Sequence, residues 1–138
     1  MAYEYLEHEA DIGILAMGKT REQAFEEGAK AMFGVMVDVD KVAASKKVEV
    51  SVGAESLDSL FVEWLNALLA KKDIAGMVFS KFKVAINEDK NFTLQGEAWG
   101  DEFKESQNFK TEVKAATYSG LKYKQVFGEH HVQCVLDI

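Results

Sequence analysis

Residues 46–72 read KKVEVSVGAESLDSLFVEWLNALLAKK, and two periods meet in them. Up to Gly53 the apolar residues Val48, Val50 and Val52 alternate with polar ones, the period of a half-buried strand. From Leu57 the repeat lengthens: Leu57, Leu60/Phe61, Trp64/Leu65 and Leu68/Leu69 share one wide helical face. Glu55 or Ser56 supplies the N-cap, and Lys71 and Lys72 complement the helix dipole at the far end. Each large side chain of this stripe, once buried, contributes roughly 1.5–3 kcal/mol of transfer free energy before conformational entropy is set against it. The segment is therefore the expected spine of the core.

Upstream, Tyr3 to Leu6 and Ile12 to Met17 read as two strands with a break around His8 and Glu9. GKTREQ follows, with Thr20 as N-cap and Gln23 three residues on, a capping-box spacing. Phe25, Gly28/Ala29, Met32/Phe33 and Met36 then recur at helical spacing and predict a helix ending near Val37–Asp38. Downstream the periods shorten again. MVFSKFKVAI, FTLQGEAWG, TEVKAATY, LKYKQV and HHVQCVLDI read as five strands, with tight hairpins at Ser119-Gly120 and Gly128-Glu129. The order is ββαβα followed by strands. Two helices separated by one strand and followed by a meander do not fit a doubly wound parallel sheet. The expectation is an α+β single compact domain over residues 1–138, with two helices packed on largely antiparallel β-sheet.

Composition narrows the function. At 138 residues there is room for one core, and 48% apolar content suits a globular domain. The 16 Lys and Arg against 23 Asp and Glu leave a net charge of −7. Direct RNA or DNA binding is disfavoured, because that binding is driven by a basic face that releases phosphate counterions. Metal ions and basic protein surfaces become better partners. The single cysteine, Cys134, lies in an apolar run and reads as a buried structural thiol. The opening MAYEYLEHEA has neither a basic nor an apolar leader region, and no apolar run reaches the ~20 residues of a membrane span, so the cytoplasm is the expected compartment.

Most chemical motifs are missing. Gly18-Lys19-Thr20 lacks the first glycine of a phosphate loop, and there is no CxxC pair for zinc. His130 and His131 are adjacent in an extended run, which points them to opposite faces; a metal shared between His8 and one of them stays open beside a plain strand-end role. The carboxylates are more informative. Asp11 stands directly before Ile12 and Ile14, and Asp137 before Ile138, whose α-carboxylate is a third oxygen donor. VQCVLDI alternates like a well-paired strand, so if the Asp11 strand and the last strand pair, these groups converge. Three ionised carboxylates together need a cation, and an all-oxygen set selects a hard ion, Ca²⁺ or Mg²⁺. An N-cap or turn role for Asp11 is the alternative. Lys114, in TEVKAATYSG, lies across the strand from Val113 and Ala115. It is either a solvent-side edge guard or, on the carboxylate face, a point charge for a phosphate or a partner's carboxylate.

Together YEYLEHEADIGILAMGKTREQAFEEGAKAMFGVMVD, EVKAATYSGL and the closing VLDI resemble the archease family over essentially the whole chain. That family opens with a tyrosine-rich strand, a His-Thr-Ala-Asp motif and a capped helix. The resemblance implies an α+β fold with a strand-helix-strand-strand module. It also implies a non-catalytic protein cofactor of the GTP-dependent RNA-splicing ligase, which joins 3′-phosphate or 2′,3′-cyclic-phosphate ends to 5′-hydroxyl ends. Archeases promote guanylylation and multiple turnover of that ligase in tRNA splicing or RNA repair. By motif match, Asp11, Asp137 and the Ile138 carboxylate are the implied ligands of a divalent ion, Ca²⁺ first and Mg²⁺ or Mn²⁺ next, and Lys114 is the implied ligase-activating lysine. Glu9 replaces the family's threonine; with His8 it is a candidate extra ligand or supporting group, or it points outward from the break. Two other readings remain: a chaperone or modulator of tRNA modification enzymes, and a small metal-dependent phosphoester hydrolase, for which no general base or nucleophile is evident.

Overall fold

A computed structural model describes residues 2–7 and 11–138. The elements run β1 (Ala2–Glu7), β2 (Asp11–Gly18), α1 (Arg21–Met36), β3 (Lys46–Ala54), α2 (Leu57–Ala75), β4 (Met77–Glu88), β5 (Phe92–Glu102), β6 (Ala115–Val126) and β7 (Glu129–Asp137), with short 3₁₀ turns at Val39–Lys41 and Glu105–Gln107. They form two antiparallel sheets, one ordered β1-β2-β7-β6 and the other β3-β5-β4. The expected α+β class holds, and β3-α2-β4-β5 is the strand-helix-strand-strand unit. No helix among the described residues is long and apolar enough to cross a membrane.

Both helices start where side chains replace missing backbone partners. The Thr20 hydroxyl accepts from the Gln23 N–H at 3.0 Å, and Gln23 Oε1 accepts from the Lys19 N–H at 3.1 Å, one residue before the position a standard capping box uses. The GKT tripeptide is thus a helix entrance. Ser56 caps α2 through the Ser59 N–H at 3.3 Å, and Gly76 ends it in the left-handed region at φ 65°.

Each helix packs against both sheets. α1 buries Phe25, Met32, Phe33 and Met36, and α2 buries Leu60, Phe61, Trp64, Leu65 and Leu68. At the helix crossing a Cβ on Gly28 would overlap the Phe61 ring, so only glycine lets the two elements approach this closely. Trp64 Nε1–H donates to the Phe25 carbonyl at 3.0 Å, which satisfies the one polar atom in that apolar contact.

Two sequence expectations about the C-terminal strands need correction. TEVKAATY and LKYKQV are one strand, β6, that starts only at Ala115. Ser119-Gly120 does not turn the chain back. It lies in a bulge between the pairs Thr117–Val135 and Lys122–Gln133, where four residues of β6, 118–121, face the single residue Cys134 of β7. Thr117 Oγ1 accepts from the Ser119 N–H and donates to the Val135 carbonyl, and Gln133 Nε2 donates to the Gly120 carbonyl, so side chains close the gap in the ladder. The hairpin expected at Gly128-Glu129 is present and turns one residue earlier, on Phe127-Gly128, at φ 49° and 81°, the positive values a type I′ turn requires.

Candidate functional site

β2 and β7 pair in a register that sets Asp11 directly opposite Asp137, with Ile12 opposite Leu136 and Ile14 opposite Cys134 behind them. Ile14, Cys134 and Leu136 face the helices and are buried. By strand alternation the two aspartates share the other face of the sheet, and both are half-buried. Directly opposed residues carry their Cβ atoms about 4.5–5.5 Å apart, and like charges so placed destabilise the pair. Among the described residues, no lysine, arginine or histidine comes within ion-pair distance of either carboxylate. On the other side of β7, Ala115 is the partner of Asp137, and the Lys114 N–H donates to the Asp137 carbonyl at 2.8 Å. Ile138 follows with its side chain packed on the core.

This donor set is all oxygen and suits a hard divalent cation better than zinc. It is sparse in side chains: among the described residues no group of three His, Cys, Asp or Glu side chains could hold a metal. Among the described residues, the further oxygens at this end of the sheet are the Ile138 carboxylate and backbone carbonyls.

The other sequence candidates are placed as follows. Lys114 is exposed and sits one residue before β6 rather than inside a strand, and the core-facing residues around it are Val113 and Ala116 instead of Val113 and Ala115. His130 and His131 pair with Gly18 and Met17, at the end of β2 far from Asp11, roughly 20 Å along the strand. His130 Nδ1 bonds the Tyr123 hydroxyl, and His131 lies 3.2 Å from Glu129. Neither belongs to the carboxylate end. His8 and Glu9 lie outside the described residues. Cys134 is buried, and burial pushes its thiol pKa up to about 12, which suits an inert core residue.

Sequence reading missed the polar contacts that α2 makes with β6. Asn66 Nδ2 donates to the Ala116 carbonyl at 3.0 Å, and its Oδ1 accepts from the Ala116 N–H at 2.8 Å. One turn earlier Glu63 accepts from the Tyr118 hydroxyl at 2.8 Å. The available signal was an amide between Leu65 and Ala67 on an otherwise apolar stretch. On the far edge of the other sheet, Glu26 Oε2 accepts from the Val84 N–H at 2.9 Å, and burial raises the Glu26 pKa against the lowering effect of that bond.

Comparison with known proteins agrees with the fold and with the family resemblance. The sequence model of the Archease protein family (MTH1598/TM1083) matches residues 3–138. Protein archease of Methanosarcina mazei is 41% identical over 99% of this chain and 95% of its own length, and that of Pyrococcus furiosus is 42% identical over 99% and 98%. The solution structure of Methanobacterium thermoautotrophicum protein 1598 superposes with a TM-score of 0.88 at 36% identity, covering 99% of this chain and 98% of that one. The crystal structure of a Thermotoga maritima archease, described as a possible chaperone, has a TM-score of 0.62 at 19% identity over 96% and 94%, a likeness of fold alone. Full-length similarity at this level, together with the matched fold, makes this chain a member of the Archease protein family.

Proposed function

We propose that this protein is a non-catalytic activator of a GTP-dependent RNA ligase that joins 3′-phosphate or cyclic-phosphate ends, and that it raises guanylylation and turnover of that enzyme. In this reading a divalent cation, Ca²⁺ before Mg²⁺ or Mn²⁺, is held by Asp11, Asp137 and the Ile138 carboxylate, and it supplies the positive charge that lets the acidic end meet its partner. Lys114, next to the pair in the fold and exposed, is the group that reaches a phosphate or carboxylate on the ligase. The observation that carries the reading is the Asp11–Asp137 register, which puts two half-buried like charges face to face with no cationic side chain in reach among the described residues. The acidic balance of −7 favours a protein partner over RNA.

The test is to mix the protein with a 3′-phosphate RNA ligase and GTP and to follow the guanylylated fraction. Wild type should raise it, and Asp11→Ala and Lys114→Ala should not. No rise with wild type, or full activity from Asp11→Ala, rejects the proposal.

A second reading, a chaperone or modulator of tRNA modification enzymes, has its own support. Phe103 and Phe109 stack edge to face with centroids 5.7 Å apart while 46% and 53% exposed, beside a cleft of about 480 Å³ that Met36, Met77 and Val78 also line. Such a surface could cover apolar regions of a client. That activity would survive Asp11→Ala and Asp137→Ala, which separates the two readings.

A further inference from the structure

Asn66 stands in the apolar helix α2, and neither its side-chain oxygen nor its nitrogen is spent on its own helix. Both go to one residue of another element, donating to the Ala116 carbonyl at 3.0 Å and accepting from the Ala116 N–H at 2.8 Å. Two antiparallel bonds to one residue are what a neighbouring strand would give, so the side chain stands in for a strand at the open edge of β6. Ala116 is followed by the bulge, where the β6–β7 ladder is lost until Lys122. Only three ladder positions, Ala115, Ala116 and Thr117, therefore secure this end of β6 to β7, and Asn66 grips the middle one. The first of them, Ala115, faces Asp137, and the residue before it, Lys114, donates its N–H to the Asp137 carbonyl.

We propose that Asn66 is a positioning residue for the carboxylate end: by holding both polar groups of Ala116 from α2, it fixes Lys114 beside Asp137 and keeps Asp137 in register with Asp11. The step to metal and ligase rests on the function proposed above. The positioning itself does not.

Two measurements separate the two claims. The first is amide hydrogen exchange on the metal-free protein, without ligase. Asn66→Leu keeps the branched shape and removes both bonds, and it should lower protection of the Lys114 N–H by tenfold or more. Val50→Ala, which trims a buried side chain in the other sheet, controls for general loss of stability and should leave Lys114 protection within about twofold of wild type. Unchanged protection in Asn66→Leu, or an equal loss in Val50→Ala, overturns the positioning role. Should Asn66→Leu fail to fold, Asn66→Asp, which can still accept from the Ala116 N–H but cannot donate, is read by the same criterion. The second measurement is Ca²⁺ titration by calorimetry, where Asn66→Leu should weaken binding by about tenfold, the lower end for groups that orient metal ligands, while Val50→Ala does not. Wild type that binds no divalent ion removes the metal reading and leaves the positioning role to be judged on exchange alone. Normal Ca²⁺ affinity in Asn66→Leu despite lost protection overturns the link between Asn66 and the site.

Discussion

Asp137→Asn should change the sign of its effect on stability with the metal content of the solution. In the metal-free protein Asp11 and Asp137 oppose each other across β2 and β7. At about 5 Å two unit charges repel by about 0.8 kcal/mol in a dielectric of about 80, more where water is partly excluded, and cross-strand pairs are worth up to about 1 kcal/mol. Removing one charge should therefore stabilise the protein in chelator by about 1 kcal/mol, or about 3–4 °C in Tm for a domain of this size. Calcium at 100 times its Kd should stabilise wild type by about 2.7 kcal/mol, whereas a variant weakened about 100-fold gains about 0.4 kcal/mol at the same concentration. The melting curves of the two proteins should thus cross in order: the variant is higher in chelator, and wild type is higher in calcium. Differential scanning calorimetry with EDTA and with Ca²⁺, Mg²⁺ and Mn²⁺ measures both. Wild type that melts at the same temperature in all four solutions, or a variant that is the weaker protein even in EDTA, refutes the reasoning.

Glu26→Gln keeps an acceptor for the Val84 N–H and removes a carboxylate whose pKa is raised first by burial and then by Glu22 and Glu27. Because the folded-state pKa is raised, wild-type Glu26 contributes its full stability only below the ordinary glutamate range and loses it as pH rises through the raised value; the variant should melt higher at pH 7, with the gap closing toward pH 4. Phe127→Asn places a residue that tolerates the left-handed region at φ 49° and removes a fully exposed ring, so chemical denaturation should show a gain of about 0.5–1 kcal/mol with the hairpin intact. Gly28→Ala forces a methyl into the Phe61 ring and should cost about 1–3 kcal/mol in urea unfolding, with little change in m.

The elements legible in the sequence were those whose signals are local and periodic. The α2 stripe from Leu60 to Leu69, the Thr20 and Ser56 caps and the alternation of Val132, Cys134 and Leu136 each report one face buried against a core, and the structure buries those faces. The pairing of the Asp11 strand with the last strand was legible only as a condition, because alternation fixes a face and says nothing of which strand lies alongside. Ser119-Gly120 misled because a glycine at positive φ serves a bulge as well as a turn; what decides between them is the ladder on β7, which the local sequence does not encode. Asn66 was invisible for a similar reason. A single amide inside a helix has no periodicity, and its meaning lies in Ala116, fifty positions away.

The location of the two aspartates explains why a charge can stand directly ahead of Ile12 and Ile14. β7 is an interior strand, paired with β2 on one side and β6 on the other, so Asp137 is held by ladders on both flanks although it is the penultimate residue. Its backbone is therefore held opposite Asp11, unlike that of a residue on a frayed end. Repulsion between like charges so opposed works against the β2–β7 register. Any cation that relieves it must favour the register in which residues 11 and 137 meet, so its binding free energy is delivered to a contact between the two ends of the sequence. Asn66 ties α2 to that contact from the β6 side, which makes the carboxylate end report on the assembly of the whole sheet and its helix rather than on one loop.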